Sequence, residues 1–551
     1  MYGPVLVGPV MGQLQTTVTR RIRPEDCSTM RSRKPSRIYL GVDLFGPMKL
    51  RRPAAPPSST PLRLSAGRAS TVNHGGGDAD RRPRKRKQSR RKTGSACSPT
   101  TFYILDKLDV MHEAVRTSVL SRRWRHLTGL HSRIVVDVLY FQPDDQDSEL
   151  TLDDLVRGNN KAIQAAKSIL AHRSQATVTF LYLRFYLTEE SVDIFTAVDE
   201  ALAYREITGV ELVVKTELPE AECSADHMLM YGRRFMRFFE ACPRAFGALE
   251  ELHVQNLRFG ESDIPNVLRT CKKLEYLFLE NCDAGIRSVL QIEHPQLKQL
   301  RIHYCLFQRV ELSCLPRLEY LNCRTWMISK QYPLSLGYVP QLQTLFLCND
   351  GTITEDKTFE FSRFLGNTTI NFLSLDFECQ RIWIQPEGPR QLARPMQNLR
   401  TLSLHNIHGQ CDLTWTMFFL EAAPLLEEIF LEVWDHTCDS EYEEHGEELQ
   451  QIFQKGNESL NWESPNDFKH DNLRVLTISG FQVEEKFLRY IRRVMVAAVN
   501  LQLISLFDSA YCLDCFLRPS KIYPRTYGER DQLKKQISEW RSSPLKIEIN
   551  I

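Results

Sequence analysis

One six-residue pattern, apolar-x-x-apolar-x-apolar, recurs along this chain and limits what it can fold into. It reads LEELHV from Leu249, LEYLFL from Leu274, LKQLRI from Leu297, LEYLNC from Leu318 and LQTLFL from Leu342. It continues as INFLSL from Ile370, LRTLSL from Leu399, LEEIFL from Leu426, LRVLTI from Leu473 and LQLISL from Leu501, with ITGVEL from Ile207 as an earlier, weaker copy. Side chains two residues apart on a strand share a side, so the fourth and sixth positions of each hexad point the same way. The first-position residue turns inward from the preceding corner. A single strand of this kind cannot cover its apolar side, but stacked copies form a continuous core.

From Leu249 to Leu426 the copies stand 25, 23, 21, 24, 28, 29 and 27 residues apart, in or near the ~20–29-residue period of leucine-rich repeats. The spacing therefore predicts an α/β leucine-rich-repeat solenoid built on a curved parallel sheet. In HPQLKQL, LPRLEYL and VPQLQTL a proline two residues upstream starts the strand and disfavours helix there. Asn281-Cys282 and Cys348-Asn349 follow their strands, where a short polar or thiol side chain satisfies the backbone as the chain turns.

The step lengthens to 47 residues between Leu426 and Leu473, and the gap holds an acidic insertion near 437–468. It reads as a solvated excursion with one short helix. Upstream, residues 142–205 alternate helix, strand and helix patterns and read as leading α/β units that cap the solenoid.

Charge divides the 551-residue chain: residues 1–100 hold 21 Lys and Arg against 5 Asp and Glu, and the remainder holds 49 against 63. The basic segment is rich in proline, glycine and like charge, which predicts disorder. Its run from Arg81 to Lys92 has the composition of a nuclear-import or nucleic-acid patch. No aromatic residues interleave with it, which disfavours nucleic acid as a partner. The 15 scattered cysteines read as reduced thiols of the nucleus or cytoplasm. Cys512 and Cys515 form a lone C-x-x-C with no second ligand pair, so no metal site is expected. No apolar run reaches the ~18 residues of a membrane span.

No phosphate-binding loop, nucleophile elbow or zinc-protease motif is present. The chain reads as a non-catalytic binding protein without a cofactor. His253, His303 and His405 fall at strand positions between the inward leucines. With Phe278, Arg301, Asn322, Phe346, Ser403 and Phe430, they are read as the fifth position of their repeats, expected to face outward on the exposed side of the sheet as candidate contacts for a protein target.

One stretch outside the repeats matters for partners. A helix beginning at Glu113 places Ala114, Val115, Ser118 and Val119 on one face, with Trp124 about a turn beyond and Arg116, Arg122, Arg123 and Arg125 on the other sides. Such a stripe suits packing against neighbours or a partner better than reading a DNA groove. The stretch ILDKLDVMHEAVRTSVLSRRWRHL, residues 104–127, resembles the second half of the plant F-box, and FQVEEKFLRYIRRVMVAAVNLQLISLFD, from Phe481, resembles an FBD segment. With the repeats between them, the chain resembles the plant F-box/leucine-rich-repeat/FBD family.

The resemblance implies a substrate-recognition subunit of a Skp–cullin–F-box ubiquitin ligase. It would dock on a Skp-type adaptor, reach a cullin through it, and present an unknown protein target. Ile104, Leu105, Leu108, Ala114, Val115, Ser118, Val119, Leu120 and Trp124 would form the F-box core and adaptor face. The family's motif opens with Leu-Pro and an acidic first helix, whereas residues 96–103 read ACSPTTFY. The F-box is thus truncated in its N-terminal half. The alternative is a repeat scaffold that binds protein without recruiting a ligase. The expected organisation is a basic tail over 1–100, a partial F-box helical segment over 101–141, capping units over 142–205, repeats over 206–480 and an FBD-like C-terminal cap over 481–551.

Overall fold

The computed structural model describes residues 133–142, 151–171, 178–285, 288–324, 334–349, 359–379, 382–434, 462–465, 467–509, 522–540 and 545–550. Its strands in chain order are β1 (Arg133–Asp137), β2 (Phe180–Tyr186), β3 (Val210–Lys215), β4 (Leu249–Gln255), β5 (Tyr276–Glu280) and β6 (Val289–Glu293). They continue with β7 (Gln299–His303), β8 (Arg309–Cys314), β9 (Tyr320–Arg324), β10 (Leu334–Tyr338), β11 (Thr344–Cys348) and β12 (Phe372–Asp376). The last are β13 (Thr401–His408), β14 (Glu428–Trp434), β15 (Val475–Ser479), β16 (Leu503–Phe507) and β17 (Lys546–Asn550).

Fourteen of these form one sheet, in the order β1-β2-β3-β4-β5-β7-β9-β11-β12-β13-β14-β15-β16-β17, and a second sheet runs β10-β8-β6. The neighbouring pairs are parallel, as in β5 with β7 and β11 with β12. Each hexad supplies one strand of the large sheet, and the leucine-rich-repeat ladder follows directly from the periodic leucines.

The core explains the pattern. Across the ten hexads from Leu249 to Leu501, the first, fourth and sixth residues are at most 3% exposed. Leu321, Leu345 and Leu373 lie side by side in register, with Cys323, Leu347 and Leu375 forming the next row. Burying one such leucine contributes roughly 1.5–3 kcal/mol, and neither row is covered until the next strand arrives.

Repeat length selects the return path. Where hexads stand 25 to 29 residues apart the chain returns through a helix. After α1 (Leu152–Ala171), α2 (Val192–Tyr204), α3 (Ala225–Ala241) and α4 (Pro243–Gly247) come four such returns. They are α5 (Asp263–Thr270), α6 (Phe361–Leu365), α7 (Pro389–Met396) and α8 (Met417–Ala422). Where the step shortens to 21–24 residues, β6, β8 and β10 take the helix's place. A strand rises about 3.3 Å per residue against about 1.5 Å for a helix, so it crosses the same depth with fewer residues.

The sheet also extends past the repeats at both ends. β1 lies within residues 101–141 and is already paired with β2. In the FBD-like segment, α9 (Glu485–Ala497) is followed by β16, α10 (Tyr527–Ser538) and β17, and both strands join the large sheet. Phe487, Ile491, Val494, Met495 and Ala498 lie on one side of this helical segment and are buried. Val483 precedes the helix and is 38% exposed, and Leu488 is only partly buried. Tyr490 is buried instead, its phenol oxygen accepting from the Thr416 hydroxyl at 2.9 Å.

Just past β4 and β5, and at the irregularity within β13, buried asparagines take left-handed backbone: Asn256 at φ 59°, Asn281 at φ 46° and Asn406 at φ 51°. Asparagine tolerates this region because its short side chain bonds locally. Asn281 Nδ2 donates to Asn256 Oδ1 at 2.5 Å, and Asn256 Nδ2 donates to Thr216 Oγ1 at 2.6 Å and to the Leu218 carbonyl at 2.9 Å. The rungs are thereby tied at their turns. Gly480 turns after β15 at φ 72°, where a Cβ would stand 1.9 Å from the Val433 carbonyl oxygen, so only glycine fits.

Candidate functional site

The positions between the inward leucines lie on the opposite side of the large sheet and form an open face. His253, Phe278, Arg301, Asn322, Phe346, Ser403 and Phe430 stand at the fifth position of their hexads. His303 and His405 are not at the fifth position expected for them: Arg301 and Ser403 occupy it, and the two histidines stand two residues further on, in the next outward row beside Arg324 and Asp376. All are half-buried except Asn322, which is buried and donates from Nδ2 to the Tyr320 phenol at 3.2 Å.

Strand spacing of about 4.8 Å brings outward rings on neighbouring strands into contact. The His253 and Phe278 rings stack with centroids 4.0 Å apart, and Phe278 meets His303 edge-on at 4.7 Å. Phe346 lies 5.3 Å from Tyr320 and 5.1 Å from Phe372, and the Arg301 guanidinium sits 5.3 Å over the Tyr320 ring. Further along the face, His405 and Phe430 lie 5.2 Å apart. Tyr182, Tyr276, Tyr320 and Phe372 occupy the third row and were not among the expected contacts. Strand parity could have identified them, because the third position shares a side with the fifth.

Electrostatics hold parts of this face rigid. Glu280 meets both the Lys215 ammonium and His253 Nε2 at 2.9 Å. Burial raises its carboxyl, but the His253 hydrogen bond and Lys215 charge outweigh burial and hold it at about 2. Burial, then the Arg324 and Arg301 charges, push the His303 imidazole down to about 3, so it stays neutral. His405 Nδ1 lies 2.9 Å from the Glu432 carboxylate.

One trio of potential metal-ligating groups exists among the described residues, Cys348, Asp376 and Glu378, their ligand atoms all within 4.8 Å. Its members are bonded to one another and to Asn406. The Cys348 thiol donates to Glu378 Oε1 at 2.9 Å, and Asp376 Oδ1 accepts from the Glu378 amide at 3.0 Å and Asn406 Nδ2 at 2.7 Å. Burial, with Asp376 and Glu378 nearby, pushes the thiol well above its usual range and keeps it protonated.

Ile104, Leu105, Leu108, Ala114, Val115, Ser118, Val119, Leu120 and Trp124 lie outside the described residues, as do Arg81–Lys92 and Cys512 with Cys515. Most of the acidic insertion, through residue 461, lies outside them too. No helix among the described residues is long and apolar enough to cross a membrane.

Residues 240–533 match the family model described as At1g61320/AtMIF1, LRR domain. The chain is also similar to an FBD-associated F-box protein of Arabidopsis thaliana. Identity there is 21% over 350 residues, covering 56% of this chain and 76% of that protein. A match to a solved structure from the yeast Rad7–Elc1 complex spans 80% of this chain and 100% of that one, at 12% identity and a TM-score of 0.25.

Proposed function

Because the chain belongs to the At1g61320/AtMIF1 LRR-domain family and is a plant F-box/LRR/FBD protein, we propose that it is the substrate-recognition subunit of a Skp–cullin–F-box ubiquitin ligase. The open face of the sheet binds a target protein. The segment 104–127 docks on a Skp-type adaptor, and the adaptor links the chain to a cullin. The protein itself performs no chemistry, needs no cofactor, and works in the nucleus or cytoplasm.

One observation supports the target-binding half above all. From β4 to β14 the outward rows carry aromatic and cationic side chains in mutual contact, the residue types that dominate protein-binding hot spots. Rings already held by neighbours lose little freedom when a partner arrives. The face runs across many neighbouring strands of one sheet, a breadth that suits a macromolecule better than a small substrate.

The adaptor half is tested by co-expressing the full chain with a Skp-type adaptor. The parent chain should co-purify with it, and Val115→Asp with Trp124→Asp should weaken the complex about thirtyfold or more, as loss of a buried tryptophan anchor does. Failure of the parent to recover any adaptor would refute it. In that event ACSPTTFY, which replaces the Leu-Pro and acidic first helix at 96–103, favours the scaffold reading. A scaffold binds the target and leaves its lifetime unchanged.

A further inference from the structure

The outward row nearest the start of the strands contains a like-charge pair. Glu211 on β3 and Glu251 on β4 are register partners, side by side on the open face. In the same row Tyr182 on β2 pairs with Glu211, and Tyr276 on β5 pairs with Glu251. Both carboxylates are half-buried. Like charges opposite one another across strands are destabilising, and partial burial sharpens the repulsion.

Nearby cations offset it only in part: the Arg301 and Arg184 charges act on Glu251 and the Arg133 charge on Glu211, yet both carboxyls stay raised. Arg184 is held 3.3 Å from Asp137, Lys298 is 2.7 Å from Glu275, Arg301 lies over Tyr320, and Arg133 lies 4.6 Å over the Phe180 ring. Neither Glu211 nor Glu251 has an ion pair within 4 Å among the described residues. The neighbouring Glu250 adds a third carboxylate close to Glu211. The consequence appears in its proton affinity: burial, then Glu251 and Glu250, push the Glu211 carboxyl up to about 7.

We propose that this end of the open face receives a lysine or arginine of the target, seated between Glu211 and Glu251 and bordered by Tyr182 and Tyr276. The rest of the same extended segment lies across the aromatic rows of Phe278, Tyr320 and Phe346. The inference rests on the reading of the open face as the target surface. A cation there relieves the carboxylate repulsion and gains from the ring faces, while apolar neighbours in the segment cover the rings. The target segment is therefore basic and apolar.

The test selects binders from a random twelve-residue peptide display library on the full-length chain. Three proteins are compared: the parent, Glu211→Gln with Glu251→Gln, and Phe278→Ala with Phe346→Ala. The expected pool from the parent is enriched in lysine or arginine at a fixed distance from an apolar residue, and the glutamine variant loses that enrichment. By fluorescence anisotropy, a selected peptide should bind the glutamine variant about tenfold more weakly, with a matching loss when its lysine becomes glutamine. The glutamine variant should melt at or above the parent's temperature, so lost binding is not lost folding. Peptides that need Phe278 and Phe346 yet show no basic enrichment, or bind the glutamine variant equally, overturn the proposal and leave the open-face reading standing. A pool indifferent to Phe278 and Phe346 overturns both.

Discussion

Leu345→Ala should lower the unfolding free energy by about 3–4 kcal/mol, as a large-to-small change does in a core that cannot collapse around the cavity. Leu345 is fully buried in β11, between Leu321 of β9 and Leu373 of β12. In a stacked repeat each rung is supported chiefly by its neighbours, so the damage is shared by both adjacent rungs. Urea denaturation followed by circular dichroism measures the loss. The outward neighbour Thr344, half-buried in the same strand, is the control, and Thr344→Ala should cost well under 1 kcal/mol. Equal losses at the two positions would contradict the assignment of inward and outward sides.

The second large effect has the opposite sign. Glu211→Gln should raise stability at pH 8 and leave it unchanged near pH 4. An ordinary glutamate carboxyl titrates near 4.5, whereas burial, Glu251 and Glu250 raise that of Glu211 to about 7 in the folded chain. Between these values the folded state holds a proton that the unfolded state has released. Folding is therefore penalised as pH rises, with the full penalty above about 7 and none below about 4.5. The shift corresponds to about 3 kcal/mol, reduced to about 2 kcal/mol for the solvent screening that remains at a half-buried group.

The comparison must be variant against parent at each pH, because His303 works the other way. Its imidazole is depressed to about 3 by burial and by Arg324 and Arg301, so its contribution is complete above about 6.5 and declines on acidification. That contribution is common to both proteins and cancels. A Glu211→Gln variant less stable than the parent at pH 8 would show that the carboxylate is satisfied.

Inward residues were legible in the sequence because burial leaves a period-two signature: Leu345 and Leu347, or Leu373 and Leu375, can be placed from LQTLFL and INFLSL alone. The second sheet was not read. Its strands VLQIE, RVELSC and LSLGY alternate too briefly to stand out, and only the shortened 21–24-residue steps marked them. The site was half legible. Strand alternation put Phe278, Arg301 and Phe346 on the open face, but attention to the fifth position overlooked Tyr182, Tyr276, Tyr320 and Phe372 in the parallel row. The Glu211–Glu251 pair was invisible because the residues are 40 apart in sequence, and their adjacency depends on register. A register shift between Val210 and Glu211 sets that pairing, and no single-strand pattern predicts it.

The central claim is that this open face holds a protein target. Its most direct test is the dissociation constant of a captured plant partner, measured for the parent, for Phe278→Ala with Phe346→Ala, and for Gln536→Glu, an exposed control on α10. The predicted result is a loss of about thirtyfold or more for the phenylalanine pair, the effect of removing hot-spot rings, with no change for the control. A partner that binds all three proteins equally tightly would contradict the account.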